Sequence, residues 1–312
     1  MHASFSFVDL FCGIGGFHVA CASLGGRCAM ACDKDPAARE IYKANFGIEP
    51  HDDIRTMPVI PNIDLLCAGP PCQAFSTIGR QRGTEDPRGG LFYELVRYIA
   101  RARPRMFLIE NVKGLTSTRY EQTFGTILRR LRAAGYAVSF QVLDASRFGV
   151  PQHRERVYLM GVRGEGPPPP LLPEPHRSLV PLSRVLDRNP DPALRTSRMD
   201  PFVLPAPIHT ATGFVIIAQK NEYTDKRVFG RDGIIGTLQA SGPPLIHDGT
   251  AIRNLSIAEL RRIQGFPATF RSPGSRTEAG KRFGNAVCVP VVRALVRHLL
   301  PSAPGHIIYA SG

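Results

Sequence analysis

Short apolar runs alternate with amphipathic stretches through the first half of the chain. Residues 5–11 read as a strand and 17–24 as the helix after it, followed by a strand at 28–32 and a helix at 35–46. A strand at 64–68 precedes a helix at 91–102, whose Leu91, Leu95 and Ile99 recur at helical spacing. Residues 106–109 form the next strand, 120–134 a helix, and 138–143 and 157–162 two more strands. Alternation of this kind predicts an α/β fold: a Rossmann-like, mostly parallel sheet with helices on both faces.

The pattern breaks at Pro167-Pro168-Pro169-Pro170. The stretch 187–249 is rich in turn residues, with short β-like runs such as Phe214-Val215-Ile216-Ile217, and predicts a smaller, irregular β-rich lobe. Helical spacing returns at 253–265, where Ser256 and Glu259 have the spacing of a capping box, and again at 289–300. The expected domains are 1–186, a small lobe at 187–252, and a hinge helix and C-terminal segment at 253–312 that returns to the first domain.

Composition changes the picture in one respect. With 43% hydrophobic and 21% charged residues, the 312-residue chain is ordinary globular material. No apolar run reaches bilayer length, so no membrane partner is expected. The N-terminus lacks the basic start and apolar stretch of a secretory signal, which favours a cytoplasmic location, or the DNA-containing compartment of a host cell. Seven scattered cysteines show no zinc-like pairing, and no metal is expected. The formal charge of +13, however, favours a polyanionic partner, of which nucleic acid is the commonest.

Three strand ends carry candidate chemistry. Gly13, Gly15 and Gly16 lie between the first strand and helix, where the absence of Cβ atoms lets backbone approach a ligand. Asp33 ends the next strand, where a carboxylate can accept ribose hydroxyls. No lysine follows the glycines, so a nucleoside lacking a polyphosphate, such as S-adenosyl-L-methionine, fits better than a triphosphate. Cys72 follows Gly69-Pro70-Pro71, a rigid lead that suits a nucleophile more than a core thiol. Arg154 and Arg156 are the candidates to depress its pKa. Glu110 ends a buried-looking strand and is the candidate acid; the alternative is a buried ion pair with one of those arginines.

These residues resemble the DNA (cytosine-5)-methyltransferases along nearly the whole chain. Asp9-Leu10-Phe11-Cys12-Gly13-Ile14-Gly15-Gly16-Phe17 is similar to that family's cofactor motif, and Gly69-Pro70-Pro71-Cys72-Gln73-Ala74-Phe75-Ser76 to its catalytic loop. Glu110-Asn111-Val112, Gln152-His153-Arg154-Glu155-Arg156, Gln264-Gly265-Phe266-Pro267 and Gly284-Asn285-Ala286-Val287 resemble four further motifs in order. The resemblance implies sequence-specific transfer of a methyl group from S-adenosyl-L-methionine to C5 of a cytosine flipped out of double-stranded DNA. Cys72 would add to C6 while Glu110 engages N3, Arg156 holds O2 and Arg154 supports the same pocket. Phe11, Gly13, Gly15, Gly16, Asp33, Asp53, Ile54, Pro71, Leu91 and Asn285 would surround the cofactor.

Ser76, Arg80, Arg82 and Arg88 would lie on a basic lid beyond Cys72. Arg227, Arg231 and Gln239 in the small lobe, near the family-like Thr237-Leu238 pair, would contact the groove. Where some members have a tryptophan two residues before Pro36, this chain has Lys34. A monomer is expected, with a cognate restriction endonuclease as partner. Two other readings are a tRNA cytosine-5 methyltransferase, faintly suggested by Ile78-Gly79-Arg80-Gln81, and a non-catalytic DNA-binding relic.

Overall fold

The computed structural model describes residues 5–71, 90–173, 175, 178–198, 202–220 and 227–302. The chain divides into two compact units, one of residues 1–143, 155–173 and 291–312, the other of 144–154 and 174–290. Residues 253–290 therefore group with the small lobe's unit, and only the last segment groups with the first domain, whereas the sequence reading returned everything after 253.

In the first unit β1 (Phe5–Leu10), β2 (Gly26–Cys32), β3 (Leu65–Ala68), β4 (Met106–Val112), β5 (Tyr136–Asp144) and β6 (Glu155–Arg163) form one sheet in the order β2-β1-β3-β4-β6-β5. β1 pairs in parallel with β2 and β3, and β3 with β4, while β6 runs antiparallel to β4. Leu65, Leu66, Cys67 and Ala68 are all fully buried, the continuous apolar run expected of a strand covered on both faces. Where β6 crosses β4, Phe107 occupies the space a Cβ at Gly161 would need: that atom would lie 2.2 Å from the ring. Packing, not backbone conformation, demands the glycine.

The connections are α1 (Gly16–Ala22), α2 (Pro36–Phe46), α3 (Gly90–Ala102) and α4 (Glu121–Ala133). Local chemistry sets the limits of α2. The Asp35 carboxylate caps the amides of Ala37 and Ala38, Pro36 opens the first turn, and Gly47 ends it in the left-handed region at φ 68°. α3 buries Phe92, Leu95, Tyr98 and Ile99 against the core under β1, β3 and β4.

In the second unit β7 (Val203–His209), β8 (Val215–Gln219), β9 (Arg227–Gly230), β10 (Leu245–His247) and β11 (Ile252–Arg253) form a mixed sheet in the order β11-β10-β9-β8-β7. The lobe is thus β-rich, as expected, and more regular than its sequence suggests. α5 (Ile257–Ile263) does carry the Ser256–Glu259 capping box, but it starts four residues later than the sequence reading. Arg253 belongs to β11: its buried guanidinium joins Asp248 and Glu259, and Ser256 is extended at ψ 163° as the cap. α6 (Arg276–Asn285) escaped the sequence reading, and α7 (Val289–Leu299) follows it.

Candidate active site

Register brings the ends of β1 and β3 level with Glu110 of β4, which runs on to Val112. Leu10 pairs with Ala68 and Ala68 with Ile109, so Phe11, Gly69 and Glu110 are the next residues on three adjacent parallel strands. This edge is where open α/β sheets bind ligands.

At β1 the chain leaves the strand through left-handed conformations at Phe11 (φ 55°), Gly13 (φ 52°) and Gly15 (φ 90°). The turn is tied to β2 by Cys12 N–H donating to the Cys32 carbonyl at 3.0 Å. A Cβ on Gly13 would have no atom within 4 Å, so this face of the turn is open. On Gly15 it would lie 2.2 Å from the Phe46 ring, which buttresses the turn from behind. Asp33 closes the arrangement: one carboxylate oxygen accepts from Gly13 N–H at 2.7 Å and the other from Asp35 N–H at 2.8 Å.

His51 continues the edge through a parallel bridge to Cys32, which sets Asp53 and Ile54 beside β2. Ile54 is buried in the core against which Phe11 and Leu91 also pack. Asp53 is half-buried and accepts from the Arg55 amide at 2.9 Å. A turn open on its ligand side, a held carboxylate and an apolar flank of Phe11, Ile54 and Leu91 fit a nucleoside-bearing cofactor. Burial pushes the Cys28 and Cys32 thiols up to about 12 and the Cys12 and Cys67 thiols well above their usual range. They stay protonated and inert, as expected of core cysteines.

At β3 the chain continues as Gly69-Pro70-Pro71. The Gly69 amide donates to the Leu10 carbonyl, and the buried Asn111 amide donates to the Pro70 carbonyl at 2.8 Å. Asn111 Oδ1 in turn accepts from Val112 N–H at 2.9 Å, which fixes the side chain. Gly69 and Pro70, which lead to the expected nucleophile, are therefore held from the strands on either side of β3. In the sequence, the signal for this role of Asn111 is a carboxamide directly after an acid at the end of an apolar run. Cys72 itself, with Ser76, Arg80, Arg82 and Arg88, lies outside the described residues.

Glu110 is 9% exposed, and its Oε1 lies 3.2 Å from Arg156 Nε on the antiparallel partner β6. The buried ion pair left open by the sequence is present, with Arg156 as the partner. Pairing leaves an acid and a hydrogen-bond donor side by side at the strand end.

Arg154 turns its side chain toward backbone carbonyls. It belongs to the second unit, where its 3%-exposed guanidinium donates to the carbonyls of Leu238, Gly284 and Ala286 at 3.2, 3.2 and 2.9 Å. There it braces backbone. The same segment is held along its length: Ile235 N–H donates to the Pro151 carbonyl, Thr237 Oγ1 to the His153 carbonyl and Leu238 N–H to Gln152 Oε1. Asp144 anchors its start. Desolvation raises this carboxyl's pKa, but bonds from His153, Ser146 and Arg154 outweigh it and bring the value to about 2.

The remaining sequence candidates in the second unit are Arg227 on β9, half-buried; Arg231, exposed; Gln239, exposed and accepting from Ser241 Oγ at 3.2 Å; and Asn285, exposed at the end of α6. Among the described residues no cluster of His, Cys, Asp or Glu could hold a metal ion, and no helix is long and apolar enough to cross a membrane.

Comparison with known proteins agrees with this geometry. The family model described as C-5 cytosine-specific DNA methylase matches residues 5–300. The type II methyltransferase M.HpaII of Haemophilus parainfluenzae is 35% identical over 332 residues, covering 96% of this chain and 90% of that enzyme. M.HhaI of Haemophilus parahaemolyticus is 32% identical over 315 residues, covering 94% and 93%. Among solved structures, the S. pombe Dnmt2 methyltransferase superposes with a TM-score of 0.71 over 96% of this chain and 99% of that one, at 21% identity, a likeness of fold.

Proposed function

The chain belongs to the C-5 cytosine-specific DNA methylases, and on that footing we propose which of its residues carry each part of the reaction. The reaction is methyl transfer from S-adenosyl-L-methionine to C5 of cytosine in DNA through a cysteine adduct at C6. Neutral cytosine is a poor carbon nucleophile at C5, and addition of a thiolate to C6 makes it an enamine.

Cys72 is the proposed nucleophile. Asn111 holds the Pro70 carbonyl two residues before it and so limits the directions from which the thiol can approach. Glu110 serves N3 of the ring, where a proton or strong hydrogen bond draws electrons away from C6 as sulfur adds. Arg156, against Glu110, donates to O2 and keeps the carboxyl group in place. After methylation a base removes the C5 proton and the C6–S bond breaks, returning the thiol. Gly13, Gly15, Gly16, Asp33, Asp53, Ile54, Phe11, Pro71 and Leu91 are proposed to hold the cofactor, which supplies an electrophilic methyl on a sulfonium. Asn285 is proposed as a further cofactor contact, and Arg154 as a brace for the Leu238 and Gly284–Ala286 backbone.

The observation that carries this assignment is the level register of Phe11, Gly69 and Glu110 on adjacent parallel strands. Arg227, Arg231 and Gln239 are proposed groove contacts, with Ser76, Arg80, Arg82 and Arg88 on the segment that follows Cys72. A monomer acting on double-stranded DNA in the cytoplasm, paired with a cognate restriction endonuclease, is the proposed setting. The test is transfer of labelled methyl from S-adenosyl-L-methionine to duplex DNA or tRNA, with Glu110→Gln as comparison. Duplex DNA is expected to be labelled at C5 of cytosine, with turnover about 100-fold or more lower in the variant and cofactor binding kept. Labelling of tRNA alone, or an undiminished variant, overturns the assignment.

A further inference from the structure

Asp9 is the penultimate residue of β1, just before the glycine turn, and takes no part in the chemistry above. It is completely buried, and neither carboxyl oxygen has a hydrogen bond of normal geometry among the described residues. The polar groups facing it are the His18 backbone amide and the Tyr42 hydroxyl. Around it stand Cys12 on the turn, Cys28 and Asp33 on or after β2, Tyr42 on α2 and Cys67 on β3, with His18 on α1. None of these is a cation: burial lowers the His18 pKa to about 4, so the ring is neutral. An ionised carboxylate in such a place, beside a second carboxylate at Asp33, would have only two neutral donors against its burial, and burial outweighs them.

The surroundings form a ready relay. Tyr42 Oη and His18 Nδ1 are 2.7 Å apart, and with the ring proton on Nε2 this nitrogen accepts a hydrogen bond from the tyrosyl O–H. The tyrosyl oxygen, which also meets Cys28 Sγ at 3.6 Å, can then accept a hydrogen bond from a protonated Asp9. α1 begins at Gly16 with no side-chain cap, so the His18 amide is one of the unsatisfied donors of its first turn. The His18 ring stacks on Phe46 with centroids 3.8 Å apart, and Phe46 fills the space behind Gly15.

We propose that Asp9 is a positioning residue acting as a neutral carboxylic acid, its O–H directed to Tyr42 and its C=O to the His18 amide. Through His18 and Phe46 it holds the glycine turn from beneath. The single carboxylate charge at the cradle then resides on Asp33. Burial, followed by the charge of Asp33, pushes the Asp9 pKa in the direction this requires. The link to cofactor binding rests on the reading of this turn as the S-adenosyl-L-methionine cradle.

The full chain is compared with Asp9→Asn, neutral and able to both donate and accept, and with Asp9→Leu, which fills the space without polar atoms. Infrared difference spectra of the ligand-free proteins are expected to show a protonated carboxylic acid C=O band that disappears in Asp9→Asn. Calorimetric affinity for S-adenosyl-L-methionine near pH 7 is expected to stay within about threefold in Asp9→Asn and to weaken about tenfold or more in Asp9→Leu. Absence of the band, or equal loss of affinity in both variants, overturns the proposal. The infrared result stands on the ligand-free protein. A wild-type chain that shows the band yet does not bind S-adenosyl-L-methionine would contradict the proposed function, not the protonation of Asp9. Should Asp9→Leu fail to fold, the band and the Asp9→Asn affinity still decide.

Discussion

Acidification tests the buried cluster under the glycine turn. His18 has its pKa lowered by burial from 6.5 to about 4. The unfolded chain therefore binds a proton near pH 6.5 that the folded protein refuses until about pH 4. Its stabilising contribution is fully present above 6.5 and is lost as pH falls through that window. At 1.36 kcal/mol per pKa unit, the shift of about 2.5 units corresponds to about 3 kcal/mol at most. Asp9 acts with the opposite sign, since a raised carboxyl pKa favours folding at low pH. The raw slope therefore mixes the two groups, and a difference is needed. His18→Asn keeps an oxygen able to accept from Tyr42 and removes the titration. Urea unfolding of both proteins at half-unit intervals from pH 7.5 to 4 gives the stability difference between them. That difference is expected to narrow by about 2–3 kcal/mol toward acid, as wild type loses what the variant lacks. A difference independent of pH would refute the reasoning that His18 is buried neutral. Asp144 does not interfere, because its pKa near 2 confines its loss to below about pH 4.

Asn111→Ala is expected to leave the Pro70 carbonyl without its buried donor, costing about 1–3 kcal/mol by chemical unfolding and lowering turnover more than cofactor affinity. Gly15→Ala combines left-handed backbone with a Cβ 2.2 Å from Phe46; calorimetry should show S-adenosyl-L-methionine binding weakened more than about tenfold, since the turn itself must move. Arg154→Met removes the donor to three buried carbonyls and should cost about 2–4 kcal/mol in unfolding experiments; an unchanged melting temperature would contradict its bracing role.

The sequence made the first sheet legible because burial on both faces leaves runs such as Leu65–Ala68 uninterrupted, and because glycine, proline and a capping Asp35 mark the ends of elements. It hid β7, whose Pro205 and Pro207 argue against a strand; the prolines are tolerated because β7 lies at the sheet edge. It hid α6, since among the sequence Arg276–Asn285 few side chains besides Ala279 and Phe283 give an apolar face. Motif spacing singled out Glu110, Arg154 and Arg156 but not the partners of each, because spacing along a strand does not reveal which arginine turns toward backbone carbonyls and which toward the acid. Asp9 and Asn111 stood in quoted motifs without roles. Their significance comes from burial and from partners far apart in sequence, such as Asn111 and Pro70.

Covalent attack by Cys72 on C6 of cytosine is tested most directly by trapping the adduct. Duplex DNA with 5-fluorocytosine at the target position is incubated with the full chain and S-adenosyl-L-methionine, and run on a denaturing gel. Fluorine at C5 cannot be removed as a proton is, so the adduct should persist as a denaturant-stable protein–DNA band, with peptide mapping to Cys72 and no band from Cys72→Ser. An adduct mapping to another residue, or turnover by Cys72→Ser on normal DNA, would contradict it.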